Sequence, residues 1–409
     1  GDAARSPGEI SGMTAASTTI IVGAGFGGIA AARRLRTLLP EPHRILVVDR
    51  RPEVSLGAGH TWVVTGRRRP EQISRRLSAL TRHGLEFRCA EVMAVDPAQR
   101  ILEIAGDRVH ADALVLAPGA HLTLEPLPGA AGVAHQFYEL DAALRLRDAL
   151  DAFAGGRVLI AIIATPYKCP AAPHEAALLI HERLVRRPGP ERFSLGLITP
   201  EPQPMPVAGP AVGAAVRELY EQRGITARFG AKPARVHAPT ATPAGSPPSR
   251  AVAGELELAD GTREPFDLLI VVPAHTAPAF LRESGLLGAN GWVPVERGTL
   301  ATPFDGVWAI GDVTHVSLAN GGMLPKAGVF ARAQGETVAG AIAARLLGRA
   351  DAARFDGRGG CYLETARGES AFAEGDFFAE PAPVVTLVPP SRGALGRKEQ
   401  FARDWGRWY

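Results

Sequence analysis

Short apolar runs of strand length alternate with segments of three-and-four spacing along most of the chain. Residues 18–22 form a β-branched run that stops at Gly23, and residues 29–39 then read as a helix halted by Pro40. Residues 45–48 are a second apolar strand, closed by Asp49. Strand, glycine turn, helix, strand is a βαβ unit. Further strands are predicted at 91–95, 100–104 and 113–116, and a helix over 141–153. A second unit opens at Arg157. Its strand runs through Ile163, a proline-rich turn follows, and 175–186 is a helix; 194–199 and 268–272 are later strands of that unit. Residues 238–249, rich in Pro, Ala, Thr and Ser, read as a surface insertion. The chain then returns with a strand at 306–310 and a long alanine-rich helix over 327–347, before a tail that is basic and aromatic at its end.

This order predicts an α/β fold with two Rossmann-like dinucleotide-binding domains and a small C-terminal domain. The first domain is discontinuous, residues 15–125 and 290–350. The second covers 126–289 and the tail domain 351–409.

Composition narrows the classes. The 409 residues suit two or three domains at about 150 residues each. With 46% hydrophobic and 21% charged residues, a sizeable core is available and global disorder is excluded. A net charge of +3 is too balanced for a dedicated nucleic-acid binder. Three cysteines cannot staple a disulfide-rich fold and do not space as a zinc site, so no metal is expected, but they can supply one redox pair. No segment approaches the ~18 apolar residues of a membrane-spanning helix. The chain opens on Gly1, with Met13 a candidate natural start, and no basic-then-apolar leader is visible. The expected location is therefore the cytoplasm.

Gly23-Ala24-Gly25-Phe26-Gly27-Gly28 matches GxGxxG with a strand before it and a helix after it. The first glycine makes the turn, the second admits a pyrophosphate to the backbone, and the third lets helix and strand pack. Phosphates then meet free N–H groups at the helix N-terminus. Asp49, at the end of the next strand, is the carboxylate for ribose hydroxyls. Residues 307–312, VWAIGD, form a second strand ending in Gly311-Asp312, and 113–120, ALVLAPGA, include Ala117-Pro118-Gly119. Both segments resemble the connecting and ribityl-contacting motifs of two-dinucleotide flavoproteins, which implies FAD. Arg50, Trp62, Val92, Lys326 and Ala327 complete the expected FAD lining.

The second unit lacks the corresponding glycines. After its strand the chain reads Thr165-Pro166-Tyr167-Lys168-Cys169-Pro170-Ala171-Ala172-Pro173-His174-Glu175. Bulky side chains stand where a nicotinamide dinucleotide would need open backbone, so NADH binding is expected to be lost. Cys169 sits beside Lys168 at a helix start, an environment expected to lower a thiol pKa. Cys361 follows Gly359-Gly360; Cys89 has no partner nearby in sequence and is expected to be structural.

These features together resemble the sulfide:quinone oxidoreductase and flavocytochrome c sulfide dehydrogenase flavoprotein family, from about Thr18 to the end. The carrying motifs are the first glycine string, Cys169 with Glu175 downstream, Gly311-Asp312, Leu324-Pro325-Lys326-Ala327-Gly328 and Cys361-Tyr362. The resemblance implies that Cys169 and Cys361 form a redox pair beside the flavin, with Cys361 nearer its C4a atom. It implies that sulfide, or a related thiol or persulfide, is oxidised and that electrons pass to a quinone. It further implies that Lys326 and its helix start offset charge on reduced flavin, and that Glu175 moves protons near flavin or quinone. Many quinone-linked members carry a third cysteine between the two units, which Cys89 does not match. Residues 55–66 hold no cysteine, so the FAD is expected to be non-covalent.

Phe401, Trp405 and Trp408 share one helical face with basic residues between them, a pattern suited to a membrane interface. Peripheral contact with the inner face of the plasma membrane is thus expected, against the competing reading of aromatics docked on the core. A homo-oligomer stays open. So do two other functions: a type II NADH:quinone oxidoreductase, against which the missing second glycine string argues, and a non-catalytic FAD-binding redox sensor.

Overall fold

The first βαβ unit organises a five-stranded parallel sheet. Its order is Val307–Ala309, Ala113–Leu116, Thr18–Val22, Arg44–Asp49 and Glu86–Cys89. Ile20 stands opposite Leu46 on one side and Leu114 on the other. The central strands are apolar throughout because both faces are covered. Ile21, Ile45 and Val47 face the helices, whereas Ile20, Val22, Leu46 and Val48 pack with Val92, Val95, Leu102 and Ile104. Those last four belong to an antiparallel sheet of Val92–Asp96, Ile101–Ile104 and Asp107–His110. On the helical face, Phe26–Leu38 crosses Gly328–Leu346 so closely that a Cβ on Gly335 would lie 2.3 Å from the Gly27 carbonyl oxygen.

The computed structural model describes residues 16–187, 192–239, 250–350 and 353–409. Most of the insertion expected at 238–249 lies outside them. The second parallel sheet runs Thr226–Arg228, Phe193–Ile198, Gly156–Ile162 and Leu268–Val272. An antiparallel sheet of Pro233–His237, Gly254–Leu258 and Arg263–Phe266 flanks it. The tail is a third unit: strands Arg358–Ala366, Glu369–Asp376 and Val384–Ser391, then the helix Arg392–Trp405, capped by the Ser391 hydroxyl accepting from Ala394 N. Helix Ala172–Arg186 packs against the first of these strands and helix Arg392–Trp405 against the second.

Three strands fall where the apolar pattern put them: Thr18–Val22, Ala113–Leu116 and Leu268–Val272. Two helices begin three residues earlier than their apolar spacing suggests. Phe26–Leu38 absorbs the glycines of its own N-terminal turn, and Ala172–Arg186 starts with Pro173 in its first turn, where a missing N–H costs nothing. The strand Glu86–Cys89 escaped the pattern because it is a partly exposed edge carrying Glu86 and Arg88.

Candidate active site

The glycine string is built for close approach. Gly23 has φ +100° and donates to Val48 O at 2.7 Å; a Cβ there would lie 2.1 Å from Ala117 O. A Cβ on Gly28 would lie 1.9 Å from Gly23 O, so both positions exclude any side chain. Gly25 differs: a Cβ there would meet nothing within 4 Å, and no side chain caps the helix. Gly25 therefore leaves room at the helix start, and no side chain competes for its N–H groups, which fits a diphosphate. Asp49 is buried, with Oδ2 accepting from Ala24 N at 2.9 Å and Oδ1 from Arg51 N at 3.0 Å. Its carboxylate stands at the loop where a ribose would lie. Arg50 is exposed, Val92 is buried among the apolar residues behind the sheet, and Pro118 and Gly119 are half-buried beside Ala117.

Across the loop, Gly311 has φ +74° and donates to Gln334 Oε1 at 2.7 Å. Lys326 behaves otherwise than a free charge. Its ammonium donates to Asp312 O at 2.6 Å and Thr314 O at 3.0 Å and lies 3.5 Å from the Trp292 ring centroid. Burial pulls its pKa down to about 8, with Asp312 opposing. Lys326 thus clamps the Gly311–Val313 turn. Ala327 is the buried residue before helix Gly328–Leu346.

In the second unit the crevice at the strand ends is filled. Tyr167 is buried and donates to Glu201 Oε2 at 2.8 Å; Thr199 donates to the same oxygen at 3.2 Å. Glu201, three residues past the end of strand Phe193–Ile198, accepts from these two protein hydroxyls. Cys169 follows with φ +58°, and its N–H donates to Lys326 O at 2.6 Å. The two units meet at that bond. Both Cys169 and Cys361 are half-buried and pack against the main core; Cys89 is exposed. The expected low pKa at Cys169 does not hold. Burial raises it well above the usual thiol range, with Cys361 and Glu175 adding to the effect, and outweighs Lys398 and the hydrogen bond at Ala172. Burial and Glu175 push Cys361 up to about 11.

Glu175 sits in a buried ion network that sequence reasoning did not find. Oε1 receives Lys398 Nζ at 2.7 Å and the Thr61 hydroxyl at 2.8 Å, while Oε2 receives Glu364 N at 2.9 Å. Lys398 also reaches Glu364 Oε2 at 3.2 Å, where Trp62 Nε1 donates at 2.7 Å, and Arg67 pairs with Glu364. Trp62, expected in the cofactor lining, has its polar atom committed here. Glu175, expected to move protons, has its two oxygens engaged by three donors. Lys398 is one basic residue among several in the tail, and nothing in local sequence marks it.

The membrane-facing aromatic stripe is also corrected. Trp405 is 1% exposed, and Phe401 stacks on Phe26 with centroids 5.9 Å apart. Trp408 meets Phe26 edge-on at 5.8 Å, and Tyr409 donates to Ala24 O at 3.0 Å. The stripe packs on Phe26 and reaches the Ala24 carbonyl, which removes apolar area from water.

The family model described as pyridine nucleotide-disulphide oxidoreductase matches residues 17–340. The chain belongs to this family. It is accordingly an FAD-dependent oxidoreductase, a member of the two-dinucleotide-binding α/β flavoproteins. The sulfide-quinone reductase of Aquifex aeolicus is 28% identical over 219 residues, spanning 51% of this chain and 50% of that protein. The match therefore covers only half the length of that relative. The mitochondrial sulfide:quinone oxidoreductase of Mus musculus is 22% identical over 373 residues, covering 88% of this chain and 78% of the mouse protein. The crystal structure of the Aquifex aeolicus sulfide:quinone oxidoreductase superposes with a TM-score of 0.82 at 22% identity, covering 95% of this chain and 90% of that one. No described helix of this family member is long and apolar enough to cross a membrane.

Proposed function

We propose that this flavoprotein oxidises sulfide, or a related thiol or persulfide, through Cys169 and Cys361 and delivers the electrons by way of FAD to a quinone. The observation that carries the reading is the loop after Gly156–Ile162. Where a nicotinamide site would need open glycine backbone, the crevice is closed by Tyr167 on Glu201, and a cysteine is tied to the flavin-side segment by Cys169 N to Lys326 O. The named relatives act on sulfide and quinone. Non-covalent FAD would be held by Gly23–Gly28, Asp49 and Gly311-Asp312, and when bound it supplies a two-electron acceptor.

The protein's own sulfur chemistry is a thiol–disulfide exchange. Hydrosulfide attacks Cys169 Sγ in a Cys169–Cys361 disulfide; a new S–S bond forms as the old one breaks. Cys169 becomes a persulfide and Cys361 leaves as the thiolate. Electron count is preserved within that step. Packing of helix Ala172–Arg186, which starts three residues after Cys169, on strand Arg358–Ala366, which carries Cys361, supports this pairing. A lipid-dissolved quinone implies peripheral membrane contact on the cytoplasmic side, through a surface other than the aromatic stripe.

Anaerobic stopped-flow flavin bleaching tests the reading. Sulfide should bleach the flavin rapidly and a quinone should restore it. A flavin that ignores sulfide but is bleached by NADH overturns it.

A further inference from the structure

Two buried polar atoms on side chains packed near the Lys168-Cys169 turn have no partner among the described residues: the Tyr138 hydroxyl and His275 Nε2. Both residues are more than nine-tenths buried, at 6% and 7% exposure. Their rings meet edge to face with centroids 5.3 Å apart. Lys168, the residue before Cys169, holds its ammonium 5.8 Å from the Tyr138 ring centroid. Three chain segments supply this cluster: the stretch before helix Leu140–Ala152, the turn after Gly156–Ile162, and strand Ala274–Thr276, where His275 pairs with Leu122.

The two orphans are complementary. His275 Nδ1 lies 2.8 Å from Pro273 O. A carbonyl only accepts, so Nδ1 carries the hydrogen and Nε2 presents a bare lone pair. Burial and Lys168 push this imidazole down to about 3, which keeps it neutral. Burial, with Cys169 and Glu201 adding to it, raises the Tyr138 phenol well above its ordinary range, so it keeps its proton. The cluster therefore offers one donor, one acceptor and an adjacent cation. Unmade hydrogen bonds at buried atoms are costly, and an occupant that satisfies both recovers that cost.

Building on the sulfide-oxidising reading, we propose that Tyr138, His275 and Lys168 form a subsite for hydrosulfide next to Cys169, and that it selects hydrosulfide over organic thiolates. Hydrosulfide has what the cluster lacks. Its charged sulfur accepts from Tyr138 and faces Lys168, while its S–H donates to His275 Nε2. A thiolate or persulfide anion has no S–H and leaves Nε2 orphaned. Tyr138 and His275 are substrate-positioning residues; the reacting sulfur is Cys169.

The test uses the FAD-loaded full chain in anaerobic stopped flow, with sodium sulfide and methanethiolate as the two probes. Wild type should prefer hydrosulfide by roughly tenfold or more, the scale of one hydrogen bond to a charged partner. Tyr138→Phe should raise the sulfide KM by about as much with little change in kcat. His275→Leu should narrow the preference for sulfide over methanethiolate, a ratio that a general packing defect would not move. FAD content, flavin spectrum and flavin midpoint potential are read for each variant. Unchanged KM and unchanged preference would mean that the cluster holds water, and would overturn the subsite. A shifted flavin spectrum or potential with unchanged sulfide KM would assign the two orphans to the flavin and overturn it equally. Should a variant fail to fold, wild type decides alone, since no preference for hydrosulfide over methanethiolate removes the proposal. A wild-type flavin inert to sulfide is a different failure, that of the function itself.

Discussion

Lys398 Nζ lies 2.7 Å from Glu175 Oε1, joining the last helix to the helix that begins three residues after Cys169. Both side chains are almost fully buried, at 4% and 6% exposure. Breaking one partner of such a pair leaves an uncompensated buried charge. Lys398→Met should therefore cost about 3–5 kcal/mol in urea unfolding, and the double variant with Glu175→Gln should recover part of it. A Lys398→Met protein as stable as wild type would show that the network carries no stability. Removal of residues from Arg397 onward should likewise reduce folding yield and FAD content, because it uncovers Phe26 and Glu175 together.

Cys169→Ser and Cys361→Ser should each reduce sulfide-dependent quinone turnover to background with FAD still bound, and Cys89→Ser should leave turnover unchanged. The glycine string and Asp49 involve none of the three residues, so flavin content is the control. Mass spectrometry of the resting enzyme should find Cys169 and Cys361 linked. Two free thiols in air would break the pairing.

NADH should bleach the flavin slowly and without saturation at micromolar concentration. Tyr167→Ala opens space at the crevice but restores no glycines, so it should leave NADH reduction slow. Fast, saturable bleaching in wild type would favour an NADH:quinone oxidoreductase.

Gly28→Ala should yield protein without bound FAD, since its Cβ would lie 1.9 Å from Gly23 O. In wild type the FAD should be released by acid or heat, as the flavin absorbance of the supernatant after precipitation will tell. Flavin retained on the denatured chain would indicate a covalent link.

Acid should destabilise the fold steeply. Burial pushes His60, His174 and His275 down to about 3 and His135 to about 4. An unfolded histidine titrates near 6.5. Between those values the unfolded chain binds more protons than the native one, so stability rises with pH and is lost on acidification below about 6.5. Four such groups give a slope of up to roughly 5 kcal/mol per pH unit near pH 5. Urea midpoints at pH 7, 6 and 5 measure it, and a flat profile would contradict it.

The parallel strands and the first glycine string were legible because their signals are local: an apolar run, a turn, an acid at the strand end. The fold class followed from their order. The ion network was not legible. Glu175 and Lys398 are separated by 223 residues, and Glu364 lies within a tail sheet that the pattern did not resolve. The aromatic stripe misled because helical spacing reports a shared face but not what covers it. For Cys169, the helix start and Lys168 were visible in sequence, whereas the burial that outweighs them depends on the packing of distant elements. Tyr138 and His275 carry no motif at all; only their unsatisfied atoms identify them.

The position of Val307–Ala309 beside Ala113–Leu116 has a consequence for the order of events during synthesis. The glycine string leaves the ribosome early, yet its sheet lacks an edge and its helix lacks the Gly335 crossing until residues beyond 346 have emerged. Phe26 waits longer still, for Phe401 and Trp408. Flavin loading is thus a late event in the life of the chain, and ribosome-bound fragments ending before residue 300 should stay protease-sensitive around residues 23–38 even with FAD in excess.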